Sequence, residues 1–205
     1  MKIFKLLLIL TIWASCRRTA TEDVAGLHNG DLIFQTSTSA QSKAIQLATK
    51  SKYSHCGIVY KDGSNYFVFE AIQPVQITPL EEWIERGKDS HYVVKRLKNA
   101  DKLLTPEHLK KMEAAGNAMI GKNYDLYFEW SDNRIYCSEL IWKIYKEGAG
   151  VEIGKLQELK DFDLTHPAVK QKLKERYGDT IPQHERVISP AAIFESELLY
   201  TVTSK

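Results

Sequence analysis

The sequence predicts an α+β fold, an antiparallel sheet or small barrel with one cysteine-bearing helix packed against it. Three observations predict it. Two runs rich in β-branched and aromatic residues, Tyr53–Tyr60 and Asn65–Ile72, flank the turn Lys61-Asp62-Gly63-Ser64 and read as a hairpin. A strand-like run, Asn133–Tyr136, meets a helical pattern over Ser138–Tyr145, with Cys137 at the junction. Between hairpin and junction lies a longer helix that carries its own start signal, from Thr105 to Ile120.

The elements follow in order. Lys2 and Lys5 supply positive charge, Leu6 to Trp13 an apolar core, and Ala14-Ser15 small residues, which together make an export signal over 1–15. The apolar run is shorter than the ~20 residues a membrane span needs. Cys16 follows directly and resembles the modified cysteine of a bacterial lipoprotein box, although Trp13 stands where leucine is more usual. Lipid attachment at Cys16 is therefore expected, with ordinary signal cleavage as the alternative. Residues 16–26 then read as a polar tether and 27–205 as one catalytic domain, long enough for a sizeable core.

Asp31 to Phe34 reads as a strand in which Asp31 serves a turn or strand pairing. Ser39 to Lys50 has helical spacing at Ala40, Ala44, Ile45, Leu47 and Ala48. Alternation along Asn65–Ile72 puts Tyr66, Val68 and Glu70 on one face and Phe67, Phe69 and Ala71 on the other. Pro79 to Ile84 predicts a short helix with proline in its first turn, and His91 to Leu97 another strand. Thr105 caps the longer helix and Pro106 takes its first position, with Leu109, Met112, Ala115, Ala118 and Met119 toward the core. Leu159 to Tyr177 is charge-rich, is broken at Pro167 and predicts a solvated helical insertion. A last strand is expected at Leu198 to Val202.

Chemistry concentrates at Cys137. The first amides of a helix lack partners and its dipole is positive there, so a cysteine in the first turn is biased toward thiolate. The competing reading is a cysteine that fills space at a helix–sheet contact. A thiolate nucleophile needs an imidazole, and His55 at the start of the hairpin is the best candidate. Glu70 near the end of the second strand can lie across from it and orient the ring, unless it is a solvated strand end. Cys56 alternates with His55 and should face the other way as a small buried side chain; a Cys56–Cys137 disulfide is the rival. His166 and His184 belong to no cluster with metal-ligand spacing and read as surface residues, so no metal and no cofactor is expected.

The ordered segments Asn29-Gly30-Asp31-Leu32-Ile33-Phe34, Ser54-His55-Cys56-Gly57-Ile58-Val59, Phe69-Glu70-Ala71, Gly121-Lys122-Asn123-Tyr124-Asp125 and Tyr136-Cys137-Ser138-Glu139-Leu140 resemble the permuted papain-like amidases of the NlpC/P60 superfamily, in particular the YiiX/YaeF group of bacterial envelope proteins. In that group the histidine strand precedes the cysteine helix. The resemblance implies a circularly permuted papain-like fold, with Cys137 as nucleophile, His55 as general base and Glu70 as orienting residue. It puts Tyr124 in the cleft as a hydrogen-bond donor, against the alternative of a packed tyrosine. With Ser138 at the helix start it completes the expected oxyanion side. The implied activity is amide cleavage through a thioester, on a cell-wall peptide or an amide-linked lipid of the envelope. Lipid ester hydrolysis or acyl transfer of the lecithin-retinol acyltransferase type, and a non-catalytic lipid-anchored binding module, are the alternatives. Without Lys2 and Lys5 the 28 basic residues become 26 against 26 acidic ones, which argues against a nucleic-acid partner.

Overall fold

The computed structural model describes residues 26–205. The leader over 1–15, Cys16 and all of the tether but Gly26 lie outside the described residues.

The strands are β1 (Leu32–Gln35), β2 (His55–Asp62), β3 (Asn65–Ala71), β4 (Val75–Pro79), β5 (Tyr92–Leu97), β6 (Asn123–Tyr124), β7 (Arg134–Ile135), β8 (Gln157–Glu158), β9 (Arg186–Val187) and β10 (Leu199–Ser204). The helices are α1 (Ala40–Thr49), α2 (Leu80–Glu85), α3 (Ala100–Leu103), α4 (Pro106–Asn117), α5 (Cys137–Ala149), α6 (Pro167–Tyr177) and α7 (Pro190–Phe194). Six strands form one antiparallel sheet in the order β10-β5-β1-β2-β3-β4, an open sheet with β10 and β4 at its edges. The fold class is α+β, as the hairpin and the cysteine junction predict.

Both faces of the sheet are covered, so β1 in its middle is apolar on both sides: Leu32, Ile33 and Phe34 are fully buried. One face, with Leu32, Phe34, Cys56, Ile58, Phe69 and Ala71, packs on α5 through Leu140, Ile141 and Ile144. Each of those three helix residues contributes roughly 1.5–3 kcal/mol by leaving water. The opposite face, with Ile33, Val59, Val68, Tyr92 and Val94, is closed by Leu80 and Trp83 of α2. The division follows the predicted alternation along β3.

The caps explain the helix boundaries. Ser39 accepts a hydrogen bond from the Ser42 N–H at 3.1 Å to open α1, and Thr105 accepts one from the His108 N–H at 3.3 Å to open α4. Glu139 reaches back to the Tyr136 N–H at 3.4 Å at the start of α5, and Gly150 ends that helix at φ +68. The α4–α5 contact is close because Gly148 has no side chain. A Cβ there would lie 2.6 Å from the Met112 backbone.

Several expectations are corrected. Pro79 precedes α2 as its N-cap and ends β4, a strand that the sequence reading passed over. The longer helix stops at Asn117, and Ala118 beyond it is exposed. Pro167 opens α6 at its first position instead of breaking a helix. Nor is that segment merely solvated: Val169 and Leu173 are buried with Ala44 of α1 and Leu159 in a third, smaller core.

Candidate active site

The start of β2, the end of β3 and the start of α5 converge. His55 is the first residue of β2, opposite Gln35 of β1. Its entry is clamped by Ser54, whose hydroxyl accepts from the Ser37 N–H at 3.0 Å and lies 2.5 Å from the Ser42 hydroxyl of α1. In the hairpin Ile58 faces Phe69, so Glu70 sits one step closer to His55 and on the same face as Val68. Gly57 lies between them. A Cβ on Gly57 would meet Val68 at 2.3 Å and the Glu70 Cβ at 3.5 Å, so glycine leaves His55 a clear path to the carboxylate.

His55 Nε2 is 2.6 Å from Glu70 Oε2, with the carboxylate fully buried. The other carboxylate oxygen accepts from the Thr78 hydroxyl at 2.6 Å and from the Arg86 guanidinium. The Trp83 ring stacks on the imidazole at 5.8 Å between centroids. With Nε2 committed to Glu70, Nδ1 is the ring nitrogen left for the sulfur of Cys137, which hydrogen-bonds the ring. Cys56, on the other face of β2, also reaches Cys137, through both its thiol and its backbone N–H. Both thiols are free, so the disulfide reading is overturned.

The electrostatics describe an ion pair. Burial alone would lower the His55 pKa, but hydrogen bonds to Cys137 and Glu70 and their charges outweigh it and raise the pKa from 6.5 to about 9. The hydrogen bond from the Cys56 thiol, opposed by burial and helped by His55, holds Cys137 well below the usual thiol range. Burial and the neighbouring Cys137 push Cys56 up, so it remains a thiol and donates. For Glu70 burial acts upward, yet His55, Thr78 and Arg86 together keep its pKa below the usual value. At neutral pH the site holds thiolate, imidazolium and carboxylate in sequence.

Tyr124 in β6 lines the same cavity as Cys137 and accepts from Gln41 Nε2 of α1 at 3.2 Å. Burial, then the charge on Cys137, raises its pKa, so the phenol keeps its proton. Ser138 is placed differently from expectation. Its hydroxyl is spent on the Ile188 carbonyl at 2.8 Å, which leaves its backbone N–H, in the first turn of α5, as its remaining donor. His166 caps α6 and His184 pairs with Glu158 at 3.0 Å, both exposed and away from this site.

Thr78, Trp83, Arg86, Gln41 and the Cys56 thiol escaped the sequence reading. One signal existed: a carboxylate in an apolar strand must be neutralised by a cation or hydrogen-bond donors. Nothing local marked Arg86 as that partner.

A cavity enclosing about 690 Å³, its open mouth included, is lined by Cys137 and Tyr124. Its walls are largely apolar, with Ala44, Phe128, Leu164 and Leu173 among them. His55 does not line it.

A family model described as permuted papain-like amidase enzyme, YaeF/YiiX, C92 family, matches residues 26–203. The chain is 45% identical over 199 residues to the uncharacterized protein YiiX of Escherichia coli (strain K12), covering 97% of this chain and 95% of that one. It is also similar to a crystal structure described as metalloprotein yiiX from Escherichia coli O157:H7, DUF1105. The TM-score is 0.82 at 47% identity, over 87% of this chain and 97% of that chain.

Proposed function

The chain belongs to the YaeF/YiiX family of permuted papain-like amidase enzymes, cysteine hydrolases by family, and from that premise we propose that it cleaves an amide whose acyl portion is apolar. The reading rests on one observation: the Cys137–His55–Glu70 chain opens on an apolar cavity that Cys137 lines and His55 does not.

The Cys137 thiolate attacks the amide carbonyl and a C–S bond forms. The oxyanion is held by the Tyr124 hydroxyl and the first-turn N–H of Ser138. His55 gives its Nδ1 proton to the leaving nitrogen as the C–N bond breaks, and the amine departs on the imidazole side. The acyl group stays on sulfur in the cavity. Water, deprotonated by His55, then breaks the thioester and restores the ion pair. Glu70 holds the ring through Nε2, and Arg86 and Thr78 hold Glu70.

The similar Escherichia coli structure is described as a metalloprotein. The donor set here does not suit a cation. Glu70 already faces the Arg86 guanidinium, and among the described residues no three His, Cys, Asp or Glu side chains converge as ligands.

An amide-linked lipid of the envelope fits the apolar walls better than a cell-wall peptide, and the leader with Cys16 supports an exported, membrane-anchored protein. Ester hydrolysis or acyl transfer is the second reading, because the same cavity accepts the same acyl group. A decayed binding module would need His55 remote from Cys137 or Glu70 in solvent, and neither is the case. The test is incubation of the purified protein with long-chain acyl amides, phospholipids and muropeptides. Acyl-amide hydrolysis that vanishes in Cys137→Ala is expected. Release of muropeptide products alone, or turnover surviving that substitution, overturns the proposal.

A further inference from the structure

Two cations reach the apolar cavity, both from α6: Lys172 and Arg176. Lys172 is spent on Glu175 one turn along its own helix. Arg176 is different. It is half-buried, its guanidinium lies over the Phe128 ring at 4.8 Å, and among the described residues it makes no hydrogen bond or ion pair. The nearest carboxylates are otherwise engaged. Asp125 accepts from the Tyr127 and Glu129 amides at 2.8 and 2.7 Å and faces Arg134, while Glu175 holds Lys172.

A guanidinium that has lost part of its water and gained no counter-ion is costly, and it cannot escape by losing its proton. Its planar fork matches carboxylate and phosphate oxygens. The Phe128 ring holds the group by a cation–π contact, and its N–H donors bond no acceptor among the described residues. Arg176, Tyr124 and Cys137 line the same cavity, so a ligand that reaches the sulfur shares its space with the cation.

We propose that the acyl half of the substrate carries an anionic group, a carboxylate or a phosphate, that Arg176 binds while the apolar body fills the cavity. This rests on the assignment of the acyl group to that cavity and names its chemistry further. The substrate is then an anionic amphiphile, and Arg176 sets specificity without taking part in bond breaking.

The experiment uses the full chain and three probes with one alkyl body: decanamide, decanoate and decyl phosphate, titrated by calorimetry. One charge-assisted contact predicts binding of an anionic probe about tenfold tighter than decanamide. Decanoate as the winner points to a carboxylate substrate, and decyl phosphate to a phosphorylated one. Arg176→Gln should bring all three affinities together, and Arg176→Lys should retain part of the preference. Equal affinities in the unaltered protein, or a preference that survives Arg176→Gln, would overturn the proposal, and the first comparison needs no variant to fold. Iodoacetamide alkylation of Cys137 without probe is scored separately. Its failure would sink the nucleophile assignment and leave the anion result standing.

Discussion

His55 carries the largest chemical consequence of any one position. It is protonated at neutral pH because a thiolate and a carboxylate bracket it, against the effect of burial. The raised value sets the sign of the pH dependence. As pH rises through about 9 the imidazolium loses the proton that the leaving amine needs, so kcat/KM for amide cleavage should fall there. As pH drops, the limit is protonation of the thiolate, whose pKa the Cys56 thiol does most to hold down. In Cys56→Ala the acid limb of Cys137 alkylation by iodoacetamide should therefore move to higher pH. An alkaline limb near 6.5, or an acid limb unchanged in that variant, would contradict the ion pair. Replacing Glu70 by Gln keeps the shape but removes the charge, and should lower kcat by about 10²- to 10⁴-fold in steady-state assays. Unaltered turnover would reduce Glu70 to a structural residue. Cys137, His55 and Glu70 were legible as residue types at telling places, a helix start and two strand ends. Arg86 was not, because a single cation after a short helix looks the same whether it meets solvent or a buried carboxylate.

Among the elements, α5 shows where packing overrides propensity. Gly148 lies inside the helix, where alanine would gain about 1 kcal/mol of intrinsic helix stability. The Cβ would also sit 2.6 Å from backbone atoms of Met112, and overpacking of that kind costs about 1–3 kcal/mol. Gly148→Ala should thus lower stability in urea titration or leave it no better; a clear gain would mean that α4 can move away. The hairpin could be read because its alternation is regular and its turn contains glycine. β4 was hidden because Val75–Pro79 is short and closes on a proline that also begins a helix. α6 was read as solvated because only Val169 and Leu173 of its eleven residues are buried, too few to stand out among its charges.

On the scale of the whole molecule, the site joins segments that are remote in the chain but anchored unequally. α5 and β2 belong to the main core, whereas α1 and α6 meet in the small third cluster. Few buried contacts mean a low cost of local opening. Hydrogen exchange should accordingly be faster in the amides of α6 than in those of α5, and equal protection would show that the cavity wall is as rigid as the nucleophile helix.

The stacking of Trp83 on His55 gives the protein a built-in optical gauge. An indole in contact with imidazolium loses excited-state energy to it and emits less than beside the neutral ring. Emission from this one tryptophan, isolated by subtracting the spectrum of Trp83→Phe, thus follows the charge of the catalytic ring without substrate or label.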